Sequence, residues 1–192
     1  MRVRTIAAIA ITAVAVVVFA TTFSGATLYS APDEVTVGAA QAILGAAVPT
    51  RLRIPALGVD AHVQQVGVAK SGNLAVPTNF TDVGWYRAGP KPGEAGSAVV
   101  DGHVDNGLGV PAVFKNVQNL NPGDEILIDN ASGTLRFVVQ SVAVYPRKEV
   151  PLQQLFHGDG VPRLNLITCE GEWLADQKTY DHRVVVYAVL AG

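Results

Sequence analysis

The sequence predicts a mostly-β, single-domain protein, a closed or nearly closed barrel with a few short helices. Three observations carry this. From Arg51 onward, short Val-, Ile- and Tyr-rich runs follow one another. Clusters of Gly, Pro, Asn and Asp separate them, which is how strands and their turns are written. No long stretch with a helical period intervenes, so paired strands must bury the apolar residues against one another.

The strand runs are "RLRI" ending at Pro55, "AHVQQVGV" before the turn cluster Lys70-Ser71-Gly72-Asn73, "GSAVVDGHV" between glycines, and "DEILIDN" after Asn121-Pro122-Gly123. Then come "TLRFVVQSVAVY", "RLNLIT" and "HRVVVYAVL". "PAVFKNV" from Pro111 and "PLQQLF" from Pro151 read as short helices with proline at the first position, where its missing N–H costs nothing. Ahead of this domain, residues 1–25 hold Arg2 and Arg4 and then roughly 18 mostly apolar residues, about the length that spans a bilayer. Their length favours an uncleaved membrane anchor over a signal peptide, whose apolar region is shorter. "YSA" at Tyr29–Ala31 is a weak cleavage site for the second reading. In either case the charge ahead of the span directs the remainder outside the cytoplasm; with the anchor kept, the expected localisation is a single-pass membrane protein with an extracytoplasmic domain. Residues 26–50, rich in Ala and Gly, read as a linker, and residues 51–192 as the folded domain.

A formal net charge of −2 on 192 residues gives no reason to expect nucleic acid as a partner. His62, His157 and His182 show no metal-ligand spacing with one another or with the single cysteine, so neither a metal nor a cofactor is expected. That cysteine, Cys169, is the unusual feature. Exported proteins usually pair their cysteines. A lone one implies an intermolecular bridge, a buried inert residue or a reactive thiol. Composition alone favours the buried residue. The other candidates at strand edges are His103, closing "SAVVDGH", and Arg183, opening "RVVVYAVL". A histidine beside a cysteine can lower the thiol pKa, and an arginine supplies donors to an oxyanion. Together the three residue types suit covalent acyl transfer. His103 and Cys169 lie 66 positions apart, so only the fold could join them.

The flanking residues narrow the choice. "VGWYRAGPKPGEAGSAVVDGHVDN", "VPAVFKNVQNLNPGDEILI", "LITCEGEW" and "RVVVYA" occur in that order. They resemble the sortase family, most closely the class F sortases of actinobacteria, over about Arg51 to the C-terminus. The resemblance implies an eight-stranded barrel behind a membrane anchor. It implies a cysteine transpeptidase that cleaves an LPXTG-like sorting peptide through a thioester and passes the acyl group to an amine of the cell wall. The partners it implies are surface proteins with C-terminal sorting signals and an amine acceptor from peptidoglycan or its precursor. The family's functional positions match His103 of Gly102-His103, Cys169 of "NLITC" and Arg183 before "VVVYA". Arg183 is expected to hold the oxyanion. Thr168 and Asp105 are candidate substrate-binding residues. Asp105 either orients the His103 imidazole or bonds only within its own turn.

Two departures stand out. Asn165 occupies a position where many sortases have threonine, and is expected to be tolerant. "EGEW" after the cysteine replaces a Gly-Gly-x-Phe-type sequence, and an inward Glu170 would oppose thiolate formation. The rival readings are another exported cysteine peptidase or transpeptidase acting on cell-wall peptides, and a non-catalytic tethered binding domain. The order of histidine before cysteine argues against NlpC-type peptidases, and the intact His-Cys-Arg set argues against a non-catalytic role.

Overall fold

A computed structural model describes residues 46–192 of the chain. The expected anchor and most of the expected linker lie outside the described residues. The strands are β1 (Pro49–Ile54), β2 (Val59–Val66), β3 (Val83–Tyr86), β4 (Ser97–Gly102), β5 (Glu125–Asn130), β6 (Gly133–Pro146), β7 (Arg163–Leu174) and β8 (Thr179–Leu190). They close into a barrel in the order β1-β2-β3-β4-β7-β8-β6-β5. The β2–β3 and β4–β7 pairs are parallel, and the remaining pairs are antiparallel. The expected eight-stranded barrel is therefore present.

Alternation along the strands fills the interior. Leu52 and Ile54 of β1, Val100 of β4, Ile126 and Ile128 of β5, Phe137 of β6, Leu164 and Leu166 of β7, and Val184 and Val186 of β8 are all buried in one cluster. Each such side chain contributes about 1.5–3 kcal/mol through removal from water. The long strand β6 could not keep one face inward without an irregularity. Its register against β8 shifts between Val139 and Ser141, so Val139 and Val142 both reach the core although an odd number of positions separates them.

The outer face of β4, β7 and β8 carries a second cluster. Val99, Val185 and Tyr187 lie under the single described α-helix, α1 (Leu152–Phe156), which inserts Leu155. Tyr86 meets Phe156 edge-on at 5.5 Å between ring centres. Asn165, also on this face, is fully buried, and its amide nitrogen donates to the Leu155 carbonyl at 2.8 Å and the Gln154 carbonyl at 3.3 Å. The expectation of tolerance at Asn165 does not survive this geometry. A five-residue helix cannot hold itself, and Asn165 fixes its last turn to the sheet. Asn165→Ala should lower stability by about 1–3 kcal/mol, the cost of unpairing buried carbonyls. Urea denaturation checks this; an unchanged midpoint contradicts it.

Four local expectations differ from the structure. Residues from Pro111 form turns ending in a 3₁₀ turn at Val117–Asn119, not a helix from Pro111. The reason is tertiary. The Ala112 N–H bonds the Val104 carbonyl, Val113 bonds Phe80, and Phe114 bonds His103. These backbone groups stitch neighbouring loops together. Pro151 precedes α1 as its N-cap and does not occupy the first helical position. Strand β3, "VGWY", was absent from the expected strands, and β1 opens at Pro49, inside the segment read as linker. Among the described residues, no helix is long and apolar enough to cross a membrane.

Candidate active site

The parallel pair β4–β7 sets the site. Its register matches Ser97 to Arg163 and continues to Asp101 opposite Ile167. That constant offset is 66 residues, and the Thr168 hydroxyl extends it by donating to the Gly102 carbonyl at 2.8 Å. One step further along the same offset are His103 and Cys169. The spacing that seemed arbitrary in the sequence is the strand register itself. Parallel strands end at the same rim, about 4.8 Å apart, so the two residues emerge side by side. Cys169 is in turn directly opposite Arg183 in the antiparallel β7–β8 pair, and opposed side chains share a face. All three line one cleft of 1440 Å³ on the outer face of the sheet.

Neither Cys169 nor Arg183 ends a strand, contrary to expectation. The β7–β8 hairpin runs on to Leu174 and Thr179. A register shift between Glu170 and Trp173 bends it just beyond the cysteine. Gly171 makes the bend possible, with φ of +86° and no room for a Cβ against the Asp181 carboxylate. Asp181 accepts the freed Glu172 N–H at 2.8 Å. The glycine in "EGEW" thus has a structural reason.

His103 sits one residue past β4. Its Nε2 lies 3.1 Å from the Pro77 carbonyl. A carbonyl only accepts, so Nε2 carries the hydrogen there, and Nδ1 is left for proton exchange. The ring also packs on Phe80, 5.0 Å between centres. Asp105 does not hydrogen-bond the imidazole. One of its oxygens accepts the Gly107 N–H at 2.8 Å, and the other accepts the Tyr180 hydroxyl. Burial raises the Asp105 pKa, but the bonds from Tyr180 and Gly107 outweigh it and hold the carboxyl below its usual range. The same bond pushes the Tyr180 hydroxyl up to about 12, with burial adding to it. Asp105 therefore ties the loop after His103 to β8. Thr168 is buried and faces the barrel interior, where its hydroxyl joins β7 to the end of β4.

The thiol is held in its neutral form. Burial pushes the Cys169 pKa up, the Arg183 guanidinium opposes this, and Asp101 and Asp105 reinforce it. Asp105 and, when it is ionised, Asp101 are the carboxylates that push the thiol up. Arg183 is half-buried, and burial lowers its pKa while the Cys169 thiolate works against that. Its Nη1 donates to the Tyr180 and His182 carbonyls at 3.0 and 2.7 Å, and its Nη2 to the Thr179 hydroxyl at 2.9 Å. The guanidinium is thereby fixed beside the thiol. Its charge and its remaining N–H groups are available to a developing anion. Alkylation of Cys169 by iodoacetamide should therefore accelerate with pH through a midpoint above the ordinary thiol value of about 8.5. A midpoint below 7, read from the rate profile, would mean that the thiol is activated in the free protein.

Asp101 escaped the sequence reading. It is 6% exposed, on the same face as His103, and lines the cleft. A charged residue inside the apolar run "SAVVDG" is the signal that could have found it, because burying a carboxyl without return is costly.

The sortase domain model matches residues 52–191. A comparison with curated proteins found no match. Among solved structures, a lid mutant of sortase A from Corynebacterium diphtheriae is similar at 19% identity, with a TM-score of 0.59, over 77% of this chain and 72% of that one. For the same organism's sortase A without that description, the score is 0.58 at 19% identity, over 77% of this chain and 62% of that one, so this chain spans less than two thirds of its length. Sortase C-1 from Actinomyces oris is similar at 21% identity, with a TM-score of 0.58, over 85% of this chain and 86% of that one. The structural likenesses establish a shared barrel, and the domain match spans nearly all of it from β1 to the end of β8. The chain belongs to the sortase family.

Proposed function

We propose that this protein is a class F-type sortase, tethered by its N-terminal segment and working outside the cytoplasm. Its substrate is the LPXTG-like C-terminal sorting peptide of surface proteins, and its acceptor an amine of peptidoglycan or its precursor. The observation that supports this most is that His103, just past β4, and Cys169 and Arg183 of the neighbouring β7 and β8 share one cleft.

The Cys169 thiolate attacks the carbonyl carbon of the peptide threonine, forming a C–S bond. Arg183 and nearby backbone N–H groups stabilise the oxyanion. As the C–N bond breaks, the His103 imidazolium gives its proton to the leaving amine. The acceptor amine then attacks the thioester, His103 takes its proton, and the C–S bond breaks to return the thiolate. Water in place of the amine gives hydrolysis.

The test is product mass. The full-length protein is incubated with a sorting-peptide library and an amine, and separately with muropeptides. The expected result is a ligated peptide that joins the threonine acyl group to the amine. Cleavage of muropeptides with no action on any sorting peptide would favour a cell-wall peptidase instead.

A further inference from the structure

Asp101 is a charged residue that the reaction above leaves unused. It lies on β4 two residues before His103, on the same outer face, opposite Ile167 of β7 and Gly84 of β3. Its Oδ1 is shut off from solvent and has no hydrogen-bond partner among the described residues. That oxygen rests on Gly84, where an added Cβ would fall 2.5 Å from it and 2.8 Å from a Val66 methyl. Any side chain at that position would displace the carboxyl, so the glycine keeps its space. Its neighbours there are apolar: Val66 methyls lie beside it at Gly84, and Ile167 is its partner position on β7. That oxygen makes no hydrogen bond within the described fold, and an unpaired buried polar atom calls for an explanation. The residue lines the cleft, which supplies one.

We propose that the Asp101 carboxyl is a specificity-determining contact that hydrogen-bonds a polar residue of the bound peptide, upstream of the scissile bond. The proposal rests on the sortase reading of the cleft. Two residues along a strand span about 7 Å. An extended peptide with its threonine carbonyl at Cys169 runs back along β4 and β7, and that distance, counted from the carbonyl at the far end of the threonine, falls on the residue just before it, the variable position of an LPXTG-like motif, which lies over Asp101. Burial pushes the Asp101 carboxyl up to about 8. Near neutral pH it is therefore mostly the uncharged acid, with an O–H to donate and a carbonyl oxygen to accept. Holding that proton also keeps a second negative charge away from the Cys169 thiolate, which an ionised Asp101 disfavours. An apolar peptide side chain at this place would leave the carboxyl unpaired, and a site built to hydrogen-bond rejects such ligands strongly.

The test uses the full-length protein and peptides that differ at one upstream position at a time, in Thr/Val and Asn/Leu pairs. At one position the wild type should prefer the polar member by about 10- to 100-fold in kcat/KM, mainly through KM. Asp101→Asn keeps a donor and an acceptor and should retain most of that preference. Asp101→Val should bring the ratio within about twofold or invert it, with the other positions unchanged. A wild-type profile at every position in Asp101→Val overturns the proposal. Thermal unfolding without peptide gives an independent reading. Asp101→Val should melt higher than wild type, since methyl groups replace an unpaired carboxyl; a lower Tm would show that the carboxyl serves the fold, and overturns the premise. If the wild type acts on none of the peptides, the sortase reading fails, while the melting comparison still decides whether Asp101 is held at a cost.

Discussion

Cys169→Ala should abolish turnover and leave the barrel folded. The side chain is small and half-buried on the outer face of β7, and alanine removes only its sulfur. Its loss should change the β-sheet circular dichroism and the unfolding midpoint little. The rate should fall to background, because no other residue in the cleft offers a comparable nucleophile. Cys169→Ser is the sharper comparison. The hydroxyl fits the same space, but an alcohol next to Arg183 is far from ionised at any workable pH, so the variant should be nearly dead. Turnover that persists in Cys169→Ala, measured by peptide cleavage, would move the nucleophile elsewhere.

The second large effect belongs to Arg183. Losing an oxyanion donor typically costs on the order of 10²–10³ in rate, and Arg183→Ala should lower kcat by about that much, with KM little changed. The pairing with Cys169 adds a role that the sequence alone left secondary. The guanidinium is the main influence opposing burial of the thiolate, so Arg183→Ala should also slow alkylation at neutral pH by raising the thiol further. Arg183→Lys separates the two roles. An ammonium restores much of the charge and hence much of the alkylation rate, but it lacks the fork that bonds Thr179 and Tyr180 while facing the substrate. Its kcat should stay well below wild type. A raised KM with unchanged kcat in both variants would instead make Arg183 a substrate-binding residue.

Most of the barrel was legible because its strands obey simple rules. "DEILIDN" and "HRVVVYAVL" combine β-branched residues with flanking turns, and they became β5 and β8. β3 was hidden by its length of four residues and by Gly84, which weakens any strand signal, yet that glycine is needed for the Asp101 carboxyl above it. The Pro111 segment misled because local propensity cannot reveal N–H groups that bond distant loops. The His103–Cys169 spacing was visible as a number, but a register is a property of pairing and not of either strand. Asn165 and Asp101 share one lesson. Each is a polar residue inside an apolar run, and each is buried, Asn165 bonding a helix through its amide nitrogen and Asp101 lining the cleft.

Acyl transfer through Cys169 is tested by intact-mass measurement of the trapped intermediate. The full-length protein is quenched in acid during turnover of a sorting peptide without added amine. The expected result is an added mass equal to the peptide up to its threonine, mapped to Cys169, removed by hydroxylamine and absent from Cys169→Ala. Peptide cleavage with no acyl group ever found on Cys169, or with the group mapped to another residue, would contradict it.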